Sequence, residues 1–352
     1  MVQTLDETKL VQPDEMKVTH NAPLTASEIA TLWRSHAHYS MLRCIYEHFL
    51  RTAEDADIRP ILEDSAGLIN TRVKATAEYL KRDGHPVPAG FNDGDLVMAA
   101  PRLYSDVYYL YYTLEMAGFG ITLNGMNLVL AARPDIREYY SECLAATVRV
   151  FNRAADLLLS KGLYIRSPYM STVNEVDFVK ERDFLSGFFV EPRPLLAAEA
   201  AQLHRGIVTN LIGKALLTGF RQVAALEPVR AYMARGIEIS AKHIDIFSSV
   251  LRKEEIPSPM PWNGFVTPST ISPFSDRLIM FHTVTLNAAG LSDYTGSIAV
   301  SPRHDLGVMY GRLIGEVTIY SEDGLKILID NGWFEEPPRA VDRKELTAKA
   351  KD

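Results

Sequence analysis

The sequence predicts an all-α protein built as two tandem four-helix bundles. Three observations lead there: apolar residues recur at three- and four-residue steps over eight long stretches, alternating strand-like runs are scarce, and the chain repeats itself. The repeat is plainest where a helix stops. "LKRDGHPVPAGF", Leu80 to Phe91, returns as "LRKEEIPSPMPW", Leu251 to Trp262, so that Pro86 and Pro88 recur 171 residues later as Pro257 and Pro259. At the same offset Glu28 falls on Glu199. After one deletion the offset is 170, and Ser105-Asp106, Arg133, Asp135, Tyr140 and Gly162 fall on Ser275-Asp276, Arg303, Asp305, Tyr310 and Gly332. A shared register over about 140 residues marks a duplicated domain rather than a solenoid, and 352 residues are enough for two ordinary cores.

The periodicity places helices near 25–53, 58–82, 102–131 and 134–161, and again near 196–225, 228–253, 274–300 and 302–331. Thr25 with Glu28 forms a capping box in sequence. Pro134, Pro228 and Pro302 suit first-turn positions, where a missing N–H costs nothing, and Gly162 and Gly332 suit a left-handed stop. Helices one and two, and three and four, are joined by few residues and should form antiparallel hairpins. Between helices two and three lie about 20 residues rich in Pro, Gly and Asn, long enough at roughly 3.3 Å each to run the length of a bundle. Such a crossover makes helices two and three parallel, which is the ferritin-like connection. The expected division is residues 22–165, a joining segment 166–193, and 194–339. Phe184, Phe188 and Phe189 of the joining segment are expected to pin the bundles together, and the duplication to give a pseudo-twofold pair with an apolar interface.

The stretches "APRLYSDVYYLYY", "ADLLLSKGLYIRSPY", "KALLTGF", "EISAKHIDIFSSVLR" and "SPFSDRLIMFHTVTLNAAG" resemble the bacterial domain-of-unknown-function family numbered 3231. The resemblance runs from about residue 22 to 345. It implies two tandem ferritin-like bundles, distantly similar to spore-coat protein F, in a family found mainly in spore-forming Gram-positive bacteria. It implies no activity.

Ferritin-like bundles can hold a carboxylate-bridged metal pair through Glu-x-x-His motifs, and neither half carries that set. Comparing the halves is more telling. Where the second has His243, His282 and Glu316, the first has Arg72, Tyr112 and Ala146. Each of the three falls on an apolar stripe, and an axial estimate sets His243 beside Asn210 and His282 level with Tyr320, with Glu316 one turn away. His204 falls about two turns off. Two readings stay open. One is a metal centre of His243, His282 and Glu316 holding Fe, Mn or Zn, which would make the protein a metal-binding protein or small oxidoreductase. The other is a buried polar network in a structural or interaction protein, each His pairing with a carboxylate or hydroxyl.

The remaining features point to packing. The tyrosine run "LYSDVYYLYYTLEM" reads as core and interface, and "AGFGITLNG" with "AAGLSDYTG" as close helix approach or a bulge. His36, His38 and His48 read as surface or interface residues, and Glu238 with Lys242 as a solvated pair. Cys44 and Cys143 read as small buried hydrophobes suited to a reducing compartment. A net charge of −7 argues against a nucleic-acid partner, leaving protein partners or self-association. No segment is apolar enough to span a membrane, and the first residues carry no apolar signal core, so a cytoplasmic location is expected, to which the family resemblance adds a spore-associated one.

Overall fold

Eight helices appear where the periodicity sets them, in a computed structural model that describes residues 22–188, 191–259, 264–344 and 347. They are α1 (Ala26–Thr52), α2 (Arg59–Arg82), α3 (Asp106–Leu130), α4 (Pro134–Ser160), α5 (Ala197–Val223), α6 (Glu227–Lys253), α7 (Asp276–Ala299) and α8 (His304–Asp330). Among the described residues no strand forms, only two isolated bridges. The Thr25–Glu28 capping box is present, and Gly162 and Gly332 take the left-handed conformation at φ +67° and +66°. One boundary differs from expectation. Pro302 precedes α8 instead of opening it, because Arg303 serves as the N-cap with its N–H held by Glu199 Oε1 at 3.3 Å.

Hydrogen bonds between helices fix their directions. Glu28 at the start of α1 reaches the amides of Ala132 and Arg133 beyond the end of α3, while Thr52 at the end of α1 meets Tyr109 in the first turn of α3. Helices α1 and α3 therefore run antiparallel. Since α1 and α2 form a hairpin, α2 and α3 are parallel and residues 83–105 make the crossover. The second half repeats this clamp, with Glu199 at the N–H of Arg303. It also repeats the ion cluster: Arg133 with Asp83 and Asp135, Arg303 with Glu254 and Asp305.

The two crossovers pair with each other about a pseudo-twofold axis. Val97 N–H donates to Pro273 O at 2.8 Å, and Thr267 N–H to Leu103 O at 3.0 Å. Ser105 N–H donates to Phe265 O at 2.9 Å, and Ser275 N–H to Asp95 O at 3.0 Å. Each bond is the other's counterpart under the 170-residue shift, the pattern of an isologous contact. On the axis Tyr112 meets His282, its own counterpart, with its hydroxyl 2.5 Å from Nε2.

One hydrophobic cluster runs through both halves, from Met41 and Phe49 through Tyr104, Tyr108 and Tyr112 to Phe220, Phe274 and Leu278. Two smaller clusters cover the far ends. Tyr104 hydroxyl donates to Leu216 O at 2.7 Å, so the tyrosine run packs the interface with its polar tips satisfied. The joining segment does not provide this interface. Phe184 is half-buried under the Arg193 guanidinium at 4.1 Å, Phe188 is 46% exposed, and Phe189 lies outside the described residues. Apolar area at the crossovers and on α3, α5 and α7 already joins the halves, leaving Phe184 and Phe188 little to cover.

Two substitutions test this packing. A Cβ at Gly219 would stand 2.5 Å from the Tyr104 ring, so Gly219→Ala should destabilise by about 1–3 kcal/mol. At the end of α6 the exposed Glu255 has φ +57° where the first half has Gly84 at φ +77°. Glu255→Gly should therefore stabilise by about 1 kcal/mol. Urea denaturation midpoints check both signs.

Candidate functional site

A polar layer crosses each half between its helices, and the partners are exchanged between the two. In the first, Tyr39 on α1 donates to Asn124 Oδ1 on α3 at 3.1 Å. In the second, the counterpart of Tyr39 is Asn210 and the counterpart of Asn124 is Tyr294, and Asn210 Nδ2 donates to the Tyr294 hydroxyl at 2.8 Å. Beside the first pair Arg72 donates to Cys143 O at 2.7 Å and to Thr147 Oγ1 at 2.9 Å. Beside the second stands His243.

The proton assignments around His243 follow from its neighbours. The Tyr294 hydroxyl accepts from Asn210, so its proton goes to His243 Nδ1 at 2.9 Å. Nε2 then carries the ring proton and donates to Glu316 Oε2 at 3.1 Å. Burial lowers the His243 pKa, against the pull of Glu316, and the ring stays neutral at neutral pH. Burial would raise Glu316, but the hydrogen bonds from Lys242 and His243 and the charge of Lys242 outweigh it and hold the carboxylate below its usual range. Lys242 Nζ lies 2.7 and 2.8 Å from the two Glu316 oxygens, so Lys242 serves this network rather than a pair with Glu238.

Of the three residues proposed as metal ligands, the structure brings His243 and Glu316 together and sends His282 elsewhere. His282 is fully buried, bonds Tyr112 of the other half, and has its pKa pushed down to about 4 by burial. Tyr294, the α7 residue that reaches His243, lies twelve positions along from His282, about 18 Å of helix. Tyr320 stacks on Tyr232 with centroids 4.2 Å apart and donates to Tyr232 O, taking no part in the His243 network. Among the described residues no group of three or more His, Cys, Asp or Glu could hold a metal ion. The side chains present do not fit the three-ligand centre.

The first-helix histidines are buried, not on the surface. His36 pairs with Thr76 Oγ1 at 3.0 Å, and His38 packs edge-on to Phe119. His48 packs edge-on to Phe274 of the other half, occupying the position that Gly219 holds against Tyr104. Cys44 and Cys143 are buried and free, with their thiol pKa values raised by burial.

A cavity of about 480 Å³ lies between α3 of the first half and α5, α6 and α7 of the second. Beside it Arg205 bridges Glu115 of the other half at 2.7 Å and Asp293 at 3.4 Å. Sequence reasoning missed this space, although the small-residue stretches were its signal. Gly120 does mark close approach, 3.1 Å from Thr147 Cγ2 once a Cβ is built, whereas a Cβ at Gly213 or Gly290 would meet nothing within 4 Å.

Repeated four-helix units, joined face to face through their crossovers, define a duplicated all-helical protein. The chain belongs to the family described as protein of unknown function DUF3231, whose model matches residues 15–176 and 183–346. No curated protein matches. A solved structure described as that of a candidate spore coat protein from Bacillus halodurans C-125 is similar at 20% identity. The match covers 43% of this chain and 98% of that one, with a TM-score of 0.39. Among the described residues no helix is long and apolar enough to cross a membrane.

Burial depresses the pKa of His36, His204 and His243, and takes His38 to about 3 and His48 and His282 to about 4, all from an ordinary 6.5. The unfolded chain therefore binds protons that the folded chain refuses. Their contribution to stability is complete above pH 6.5 and is lost as the pH falls towards about 4. Urea midpoints should decline steadily across that window, and a flat profile would contradict neutral burial of these rings.

Proposed function

We propose that the protein is a structural or interaction protein made of two ferritin-like bundles, residues 22–165 and 194–339, fused through residues 166–193 into an internal pseudo-dimer. The observation that carries this reading is the exchanged polar layer. Tyr39–Asn124 in one half and Asn210–Tyr294 in the other satisfy the same interior level with the residues reversed. A layer that tolerates such an exchange acts by satisfying buried polar groups and fixing helix register, as a network of full hydrogen bonds does. The crossover connection between parallel helices supports the ferritin-like part.

Support for the interaction part comes from the joining segment. Tyr169, Val173, Val176 and Phe178 are between 79% and 89% exposed on a stretch without helix or strand. Apolar side chains spaced along exposed backbone are what a protein partner covers. Association with spores rests on the family resemblance alone.

Elemental analysis by plasma mass spectrometry, on protein purified without chelators, tests the reading against a metalloprotein. The expected result is no stoichiometric Fe, Mn or Zn, and a His282→Gln variant changed in stability only. Near-stoichiometric metal that disappears in His282→Gln or Glu316→Gln would overturn it.

A further inference from the structure

The cavity between the halves is bordered by Asn210, His243 and Tyr294 of the polar layer, but none of their hydrogen bonds accounts for the space. Its 480 Å³ falls within the roughly 300–1,000 Å³ typical of sites for small organic ligands. Tyr108, Tyr112, Met116 and Phe119 wall it from the first half. On the facing side Gly213 on α5 and Gly290 on α7 leave gaps among Ile212, Leu216, Ile239 and Leu286, since a Cβ built at either glycine meets nothing within 4 Å. An alanine would fit at either position without a clash, and glycine inside a helix costs about 0.5–1 kcal/mol relative to alanine. An unfilled apolar space also forfeits dispersion contacts with its lining. Packing gives no reason for the space.

The polar groups around it describe what it suits. Arg205 is already paired with both Glu115 and Asp293, so its charge is met, and His243 is committed to Glu316. Arg34, exposed at the rim, donates to Asn127 Oδ1 at 3.0 Å. His38 is different. It lines the cavity and is only 6% exposed, and among the described residues no ion pair or hydrogen bond takes up its ring, whose Nδ1 is closed off from the space. We propose that the cavity binds an uncharged, largely apolar small molecule that packs against the His38 ring. This goes beyond the structural reading and does not depend on it, since the cavity is walled by both halves whatever covers the outside.

The test is a fluorescence titration of the full chain with N-phenyl-1-naphthylamine, an uncharged apolar probe, beside cis-parinaric acid, an apolar chain ending in a carboxylate. The wild type should saturate at one naphthylamine per chain. Gly213→Leu and Gly290→Leu fill the space and should weaken the probe at least about tenfold while keeping the wild-type helical circular dichroism. Gly67→Leu, on an exposed face of α2 with open space around it, should bind as the wild type does. Absence of saturable binding, or equal binding in both filled variants, would overturn the proposal. Should either filled variant lose its helical signal, Gly213→Ala and Gly290→Ala take its place with a smaller loss expected, and equal binding in those overturns it too. Tighter binding of the parinarate carboxylate would overturn the uncharged assignment and point to an anion at Arg34.

Discussion

The pairing of the two crossover loops is the constraint on which the rest of this structure depends. A loop of some twenty residues without regular structure leaves many backbone groups to satisfy, and burying it against a bundle would ordinarily be costly. Here each loop finds its partners in the other. Val97, Leu103 and Ser105 of one exchange hydrogen bonds with Pro273, Thr267 and Phe265 of its counterpart. That exchange lets Tyr104 and Phe274 enter a common core, carries α3 and α7 against the opposite half, and sets Tyr112 against His282 on the axis. The fused chain thereby reproduces within itself the isologous contact of a symmetric dimer.

Once two copies share a chain, each is free to diverge at the axis, and the divergence here is chemical. A symmetric pair would set tyrosine against tyrosine or histidine against histidine where the chain has one of each, which lets a hydroxyl donate to an imidazole. The polar layers diverge in the same spirit. Arg72 hydrogen-bonds a helix carbonyl and a threonine, while His243, in the same place, joins a tyrosine to a carboxylate. Both satisfy a buried level; only the second places an acidic group there. The cavity is a third asymmetry, since the gaps at Gly213 and Gly290 belong to the second half.

Much of the architecture was legible because helix periodicity, breakers and the duplication speak about local structure. The eight helices and the two parallel crossings follow from these alone. The site was less legible, for reasons of range. Periodicity tells which face of a helix a residue occupies but not which neighbour it meets, and an axial estimate made through a turn accumulates error along a long helix. His243 was set correctly beside Asn210, on the hairpin folded tightly at Leu226, whereas His282 was matched to Tyr320 and in fact faces another bundle. A signal for that contact was present: Tyr112 and His282 occupy the same place in the two repeats, and equivalent residues meet on a twofold axis. For His38 and His48 the surface and interface readings stayed open, and only the second half, once in place against them, decides for the interface. Space left by absent side chains has no residue to announce it, so the cavity was seen only as a run of small residues.

Differential scanning calorimetry of the intact chain tests the central claim most directly, because a core shared through the crossovers must melt as a whole. The account predicts one transition whose calorimetric enthalpy equals its van't Hoff enthalpy. Two resolved transitions, or a calorimetric enthalpy near twice the van't Hoff value, would show the halves unfolding independently and contradict it.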